Sequence, residues 1–159
     1  MAIQIRPLHD LFVAEVSGVD LTQPIAQDDV PGWHRLRAAL PDGAPPLIAD
    51  ESVHTAADIM PLAGAVDGIN IKLAKAGGLR EAWCMVQVAR ALHMRVMLGC
   101  MVESAVGLTA AAHLAALVDY ADLDAGLLVA DDPFTGAVMG TDGAITLPDG
   151  PGLGVTRRS

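Results

Sequence analysis

Lysine is nearly absent from this chain: of its ten basic residues only Lys72 and Lys75 are lysines, and the rest are arginines. Aromatic residues are scarce as well, at 3%. That excludes an aromatic-packed β core, and the 52% apolar content, mostly Ala, Val and Leu, points to helix-rich, alanine-packed layers. Cysteine is limited to Cys84 and Cys100, which sit in apolar runs without metal-type spacing. They read as reduced core residues of a cytosolic protein, which places the chain in the cytoplasm. Positive charge is outweighed: a net charge of −9 leaves no basic stripe for nucleic acid or an anionic membrane surface. Small molecules and divalent cations remain as partners. A secretory leader is not expected either, because Asp10 and Glu15 interrupt any apolar stretch at the start. The one long apolar run, Val96 to Val118, contains Glu103, His113 and two glycines. It divides into a short strand and an alanine-rich helix of a buried core, so no membrane span is predicted.

What is present is enough for one domain at 159 residues. From about residue 45 the pattern becomes regular. Pro46–Ala49 is a short apolar run, and Val53, Ala56, Ala57 and Met60 follow at helical spacing behind Ser52 as a candidate N-cap. Gly68 to Leu73 predicts a strand that leads into Gly77-Gly78. A helix then carries Leu79, Ala82, Trp83, Val86, Ala89 and Arg90 on one stripe. Arg95–Gly99 predicts a third strand, Ser104 opens a helix through Val118, and Tyr120–Leu123 a fourth strand. Strand–helix units at this interval imply parallel strands joined by right-handed crossovers. The polar residues Asp50, Lys72, Glu103, Asp122 and Asp124 all fall at or just past strand ends, the edge at which α/β folds bind ligands. The ends of the chain differ. Ala2–Pro7 and Leu11–Val16 predict a hairpin or two short strands, Val138 to Leu147 a hairpin turning at Asp142-Gly143, and Thr156–Ser159 a frayed tail.

Period-two alternation sets Asn70 and Lys72 on one face of their strand and Ile69, Ile71 and Leu73 on the other. Burial can lower a lysine pKa into the range of proton exchange near neutrality. Lys72 is therefore either a proton-transfer base in a pocket or an ordinary solvated strand lysine, with Lys75 a framework or solvated residue beyond it.

Residues 45–155 resemble the C-terminal half of an enolase-superfamily enzyme, and within it the dipeptide epimerases of the L-Ala-D/L-Glu type in the muconate-lactonizing subgroup. The resemblance rests on Ile48-Ala49-Asp50-Glu51-Ser52, on Asn70-Ile71-Lys72-Leu73-Ala74-Lys75-Ala76-Gly77-Gly78 and on Gly99-Cys100-Met101-Val102-Glu103-Ser104. It continues in Ala111-Ala112-His113-Leu114-Ala115, Asp122-Leu123-Asp124, Asp132-Pro133-Phe134 and Pro151-Gly152-Leu153-Gly154-Val155. It implies an α/β fold, a partial (β/α) barrel holding strands five to eight of a TIM-like barrel, with a short N-terminal β segment. It also implies a Mg²⁺ ion and two opposed bases that move a proton at the carbon α to a carboxylate. By position, Lys72 is then the catalytic acid/base on one face and Asp50 a metal ligand. Asp122 and Asp124 receive the ammonium group of a dipeptide, and Glu103 lines the pocket.

The departures from that pattern carry equal weight. The family also places a lysine pair on strand two and further carboxylate ligands on strands three and four. Here no lysine precedes Lys72, and Thr22-Gln23-Pro24 stands where the family has Glu-Gln-Pro. Residues 1–30, through Phe12-Val13-Ala14-Glu15-Val16-Ser17-Gly18-Val19-Asp20-Leu21-Thr22, resemble the start of taurine-dioxygenase-like, 2-oxoglutarate-dependent iron enzymes. No His-x-Asp pair is present to bind iron. The chain is expected to divide into a dioxygenase-like β segment (1–30), a half-barrel (31–135) and a C-terminal hairpin and tail (136–159), with a seam between residues 23 and 42. The expected function is that of a truncated or chimeric Mg²⁺-dependent dipeptide epimerase lacking full activity alone. The alternatives are a non-catalytic remnant that forms an oligomeric half-barrel and, against the missing iron ligands, a dioxygenase-like protein.

Overall fold

The computed structural model describes residues 23–159 in full and the backbone of residues 4–9 and 12–17. Strands β1 (Gln4–His9) and β2 (Phe12–Ser17) pair antiparallel, Ile5 opposite Val16, as the hairpin reading predicts. Thr22, together with residues 18–21, lies outside the described residues.

The body is a four-stranded parallel sheet in the order β3 (Ile48–Ala49), β4 (Gly68–Lys72), β5 (Arg95–Gly99) and β6 (Tyr120–Ala121). Consecutive strands are neighbours, and each step returns through helical or turn structure, which is the signature of repeated right-handed units. Ile69, Ile71, Val96 and Leu98 point into a core shared with α3 (Leu79–Ala91), which contributes Ala82, Met85, Val86 and Ala89. On α4 (Ala105–Ala112), Leu108, Ala111 and Ala112 complete that layer. Small alanines let helices approach the sheet closely, which is how a core with so few aromatics reaches full burial. The architecture is thus a partial α/β barrel, as the sequence predicts.

Two aspartates repeat one device at the N-terminal edge of the sheet. Asp67, just before β4, accepts the Leu47 N–H at 2.7 Å and pairs with Arg37 of α1 (Val30–Ala39). Asp119, just before β6, accepts the Val96 N–H at 2.7 Å and pairs with Arg90 of α3 at 2.6 Å. Each carboxylate ties a helix to strand backbone on the edge away from the polar cluster, the edge that serves stability in barrel folds.

Several local expectations are corrected. Residues 53–62 form two 3-10 turns, Ala56–Asp58 and Met60–Leu62, in place of a helix. Pro61 cannot donate the backbone bond that an α-helix needs there, and the Asp58 carboxylate closes the first turn on the Thr55 N–H and hydroxyl. Leu73 leaves the strand to begin a one-turn helix, α2 (Leu73–Ala76). The helix predicted through Val118 ends at Ala112. There the His113 ring bonds the Thr109 carbonyl at 2.8 Å, and a 3-10 turn (Ala115–Leu117) follows. Trp83 and Leu79 lie on the solvent side of α3, because only one face of that helix meets the sheet. Cys84, on the same helix, is exposed and so is not a core residue, whereas Cys100 is partly buried and packs against the core; both are free thiols.

The C-terminal segment forms β8 (Val138–Met139) with β9 (Ile145–Thr146), turning through Gly143 at φ 79° as the hairpin reading has it. The tail is paired and not frayed: β10 (Thr156–Arg157) runs antiparallel to β7 (Phe134–Thr135). Asp132 anchors this segment by accepting the Ala105 N–H at the start of α4 with one carboxylate oxygen and the Phe134 N–H at 2.9 Å with the other. An aspartate at a helix N-terminus satisfies an amide left without an intrahelical partner and complements the helix dipole. Asp132→Ala is expected to cost about 1–2 kcal/mol, read as a lower urea midpoint at unchanged m-value.

Candidate active site

Asp50 follows β3 directly, and every polar atom it has is held by a side chain. Its N–H is accepted by Gln23 Oε1 at 3.0 Å. Its carbonyl accepts Lys75 Nζ at 2.6 Å, and the same ammonium reaches Oδ1. Its Oδ2 accepts Asn70 Nδ2 at 3.0 Å and pairs with Lys72 Nζ at 2.8 Å. The three charged side chains are 7%, 15% and 13% exposed for Asp50, Lys72 and Lys75, so this is a buried ion cluster in which each charge needs its partners.

The strand geometry puts Lys72 there. Asn70 and Lys72 leave β4 on the face opposite Ile69 and Ile71, as alternation requires, and pass over Gly99 of β5. A Cβ at Gly99 would stand 2.7 Å from Asn70 Oδ1, so only glycine lets the amide lie flat toward Asp50. The Asn70 Oδ1 atom itself is buried without a partner. Together with Glu51, Met97, Cys100 and Asp122, these residues line a cavity of about 300 Å³ at the C-terminal edge of the sheet.

Burial and a counterion pull Lys72 in opposite directions. Burial alone would lower its pKa, but the hydrogen bond and charge of Asp50 overcome that, and its pKa stands above the ordinary lysine value. The expectation that burial tunes it toward neutrality is thereby corrected: with a carboxylate at 2.8 Å, the resting group is an ammonium, a proton donor. Burial likewise opposes ionisation of Asp50, and Lys72 and Lys75 outweigh it, holding its carboxyl below the usual range. Asp122 moves the other way, raised by desolvation and by the neighbouring charge of Asp124. The Cys100 thiol is raised by burial, with Asp122, Asp124 and Glu103 adding to the shift.

The structure brings Asp50, Lys72 and Asp122 to one cavity, while Asp124, exposed like Asp122, lies outside its lining at the start of a 3-10 turn, Asp124–Leu128. Glu103 folds back toward α4, its carboxylate accepting the Met101 N–H at 3.3 Å and lying against Gly107. It does not line the cavity. Of the two readings of Lys75, the solvated one is corrected: it is nearly buried and shares Asp50 with Lys72. Gln23 was noted in the sequence only as part of a departing motif, yet it clamps the backbone after β3: Oε1 also accepts the Ser52 N–H at 3.3 Å, and Nε2 donates to Ser52 Oγ at 2.7 Å. Trp33 donates to the same hydroxyl at 3.1 Å.

Mg²⁺ takes a near-octahedral shell of oxygen ligands and dehydrates reluctantly. Among the described residues no group of three or more His, Cys, Asp or Glu side chains could hold a metal, and both Asp50 carboxylate oxygens already face ammonium groups. The described residues therefore do not by themselves fit a Mg²⁺ site.

Comparison with known proteins supports the fold and the family. The model of the family described as enolase C-terminal domain-like matches residues 14–158, beginning within the segment set beside the dioxygenases. The L-Ala-D/L-Glu epimerase of Bacteroides thetaiotaomicron is 44% identical over 150 residues, 94% of this chain and 38% of that protein. Among solved structures, a substrate-liganded complex of the Bacillus subtilis L-Ala-D/L-Glu epimerase superposes with a TM-score of 0.75 at 37% identity, over 84% of this chain and 38% of that one. A dipeptide epimerase from Cytophaga hutchinsonii, complexed with Mg and the dipeptide D-Ala-L-Val, gives 0.77 at 32% identity over 85% and 38%. The chain thus spans about 38% of the length of these relatives. No helix among the described residues is long and apolar enough to cross a membrane.

Proposed function

Because the chain belongs to the enolase C-terminal domain-like family, we propose that it is the portion of a dipeptide epimerase that carries one acid/base group, Lys72, and the carboxylates Asp122 and Asp124 for the ammonium end of a dipeptide. One observation carries the reading: an ammonium held by Asp50 at 2.8 Å opens, with Asp122, onto a single cavity at the C-terminal edge of a parallel sheet. A cation on one wall suits a proton delivered to a carbanion, and a carboxylate on another suits a cationic substrate terminus. Asp50 serves here as the counterion that keeps Lys72 charged and aimed. Glu103 stays outside the cavity lining and contributes only negative charge felt at Cys100. The Mg²⁺ of an intact enzyme would draw ligands from outside the described residues.

Inversion at a carbon needs one proton donor per face. The chain has no lysine besides Lys72 and its neighbour Lys75, and both lie on the same carboxylate. In D₂O with Mg²⁺ and L-Ala-L-Glu, the 159-residue protein is expected to give neither inversion nor exchange at the glutamyl α-carbon, followed by proton NMR. Inversion would reveal a second base and overturn the assignment. Binding is the positive arm. L-Ala-L-Glu should perturb the amide signals around Asp122, and N-acetylation of the dipeptide or Asp122→Asn should weaken that effect at least tenfold. Equal binding of the acetylated dipeptide would remove Asp122 and Asp124 from an ammonium site.

A further inference from the structure

We propose that Lys75 is a positioning residue that acts through Asp50 to set the place of the Lys72 ammonium. The inference rests on the reading of Lys72 as the acid/base group, but its test does not depend on turnover. Three residues apart on a continued strand, Lys72 and Lys75 would leave opposite faces. The chain avoids this by ending β4 at Lys72 and turning at once through the one-turn helix α2, which swings the Lys75 side chain back over the end of β3. Gly77 and Gly78 make the short turn possible, since both take positive φ, 78° and 127°, and so allow α2 to stop and α3 to start without an intervening loop.

The ammonium delivered this way makes two bonds of different kinds. One, at 2.6 Å, goes to the Asp50 backbone carbonyl and the other to Oδ1. Bridging a residue's main chain and its own carboxylate fixes the side-chain torsions of Asp50 in a way that neither bond alone could. Gln23 holds the Asp50 N–H from the other side. With the backbone and Oδ1 fixed, Oδ2 has one place to be, and Lys72 pairs with it there together with Asn70. Without Lys75, only Asn70 and Lys72 hold the carboxylate, both on Oδ2, so nothing fixes Oδ1 and the ammonium loses its defined position. Lys75 does not itself line the cavity and reaches it only through Asp50, whereas Lys72 lines it directly.

The two lysines of the chain make the test direct, because ¹⁵N-labelled protein can show only two side-chain ammonium signals, and these are seen when ion-paired and shielded but broaden away when solvated. The wild type should show both. Lys75→Met should abolish its own signal and also broaden that of Lys72 beyond detection, while the dispersed amide spectrum persists. Lys75→Arg, which keeps a cation on Asp50, should restore the Lys72 signal. A sharp, unshifted Lys72 signal in Lys75→Met would overturn the proposal. The reverse variant covers the case in which Lys75→Met does not fold. In Lys72→Met the Lys75 signal should remain, since its two bonds to Asp50 do not involve Lys72, and its loss would show that the dependence runs the other way.

Discussion

Asp50→Asn is expected to destabilise the protein by about 3–5 kcal/mol at pH 7, because it leaves two nearly buried ammonium groups facing each other without a counterion. The substitution keeps the shape of the side chain and its capacity to accept from Asn70, so the loss is one of charge. The pH dependence distinguishes this cause from simple misfit. In the wild type, the Asp50 pKa is lowered and the Lys72 pKa is raised. The carboxylate's contribution is present above the ordinary aspartate range and fades as pH falls through its depressed folded value. The lysine's contribution is complete below the ordinary lysine value and fades as pH rises through its elevated folded value. In Asp50→Asn Lys72 keeps its burial and loses the group that outweighed it, so its folded pKa falls below that of the unfolded chain. The unfolded state then binds more protons, and stability rises with pH up to about the unfolded lysine value near 10.4. Urea titrations at pH 7, 9 and 10 should therefore show the gap between the two proteins narrowing. A gap below about 1 kcal/mol at pH 7, or one independent of pH, would mean that the cluster is not the buried ion network described.

Much of this site is legible in the sequence, and what is missed shares a physical cause. Strand alternation places Asn70 and Lys72 together because β4 is regular up to Lys72. Asp50 and Asp122 are found because parallel strands bring all their C-terminal ends to one edge. Lys75 escapes, because the pattern that finds Lys72 assigns it to the wrong face, and only the α2 turn reverses that. Gln23 escapes because it acts across 27 residues of sequence, where no periodicity operates. The direction of the Lys72 shift is left open for a similar reason: burial is suggested by flanking isoleucines, but a counterion from another strand is not. The short turns at residues 56–62 and the exposed Trp83 show the converse. A helical stripe of apolar residues states a propensity, and Pro61 or the absence of a covering layer decides whether the protein uses it.

Trp33→Ala is expected to cost about 3–5 kcal/mol, the range for truncating a large buried aromatic side chain, and to loosen the site some distance away. Trp33 is fully buried, although it lies on α1, a helix capped by Asp29 through the Gly32 N–H at 2.8 Å and absent from the sequence-based expectations. Its side chain does two things. The ring fills the core beside the sheet, and the indole N–H joins Gln23 in holding the Ser52 hydroxyl, two residues beyond Asp50. Removing the ring leaves a cavity that the flanking backbone cannot fully close, and it removes one of the two donors on Ser52. Trp33→Phe separates these effects. It retains most of the apolar contact and loses only the hydrogen bond, so its cost should be nearer 1 kcal/mol. Fluorescence identifies the residue without ambiguity, since the other tryptophan, Trp83, is 48% exposed. The wild type should emit partly at short wavelength, and Trp33→Ala should show only the long-wavelength emission of a solvated indole. If urea midpoints for Trp33→Ala stay within about 0.5 kcal/mol of wild type, the range of an ordinary surface change, α1 is not part of the core that supports Asp50. A full loss in Trp33→Ala with a small one in Trp33→Phe would tie the helix to the sheet by packing, with the hydrogen bond to Ser52 directing that packing toward the carboxylate on which both lysines depend.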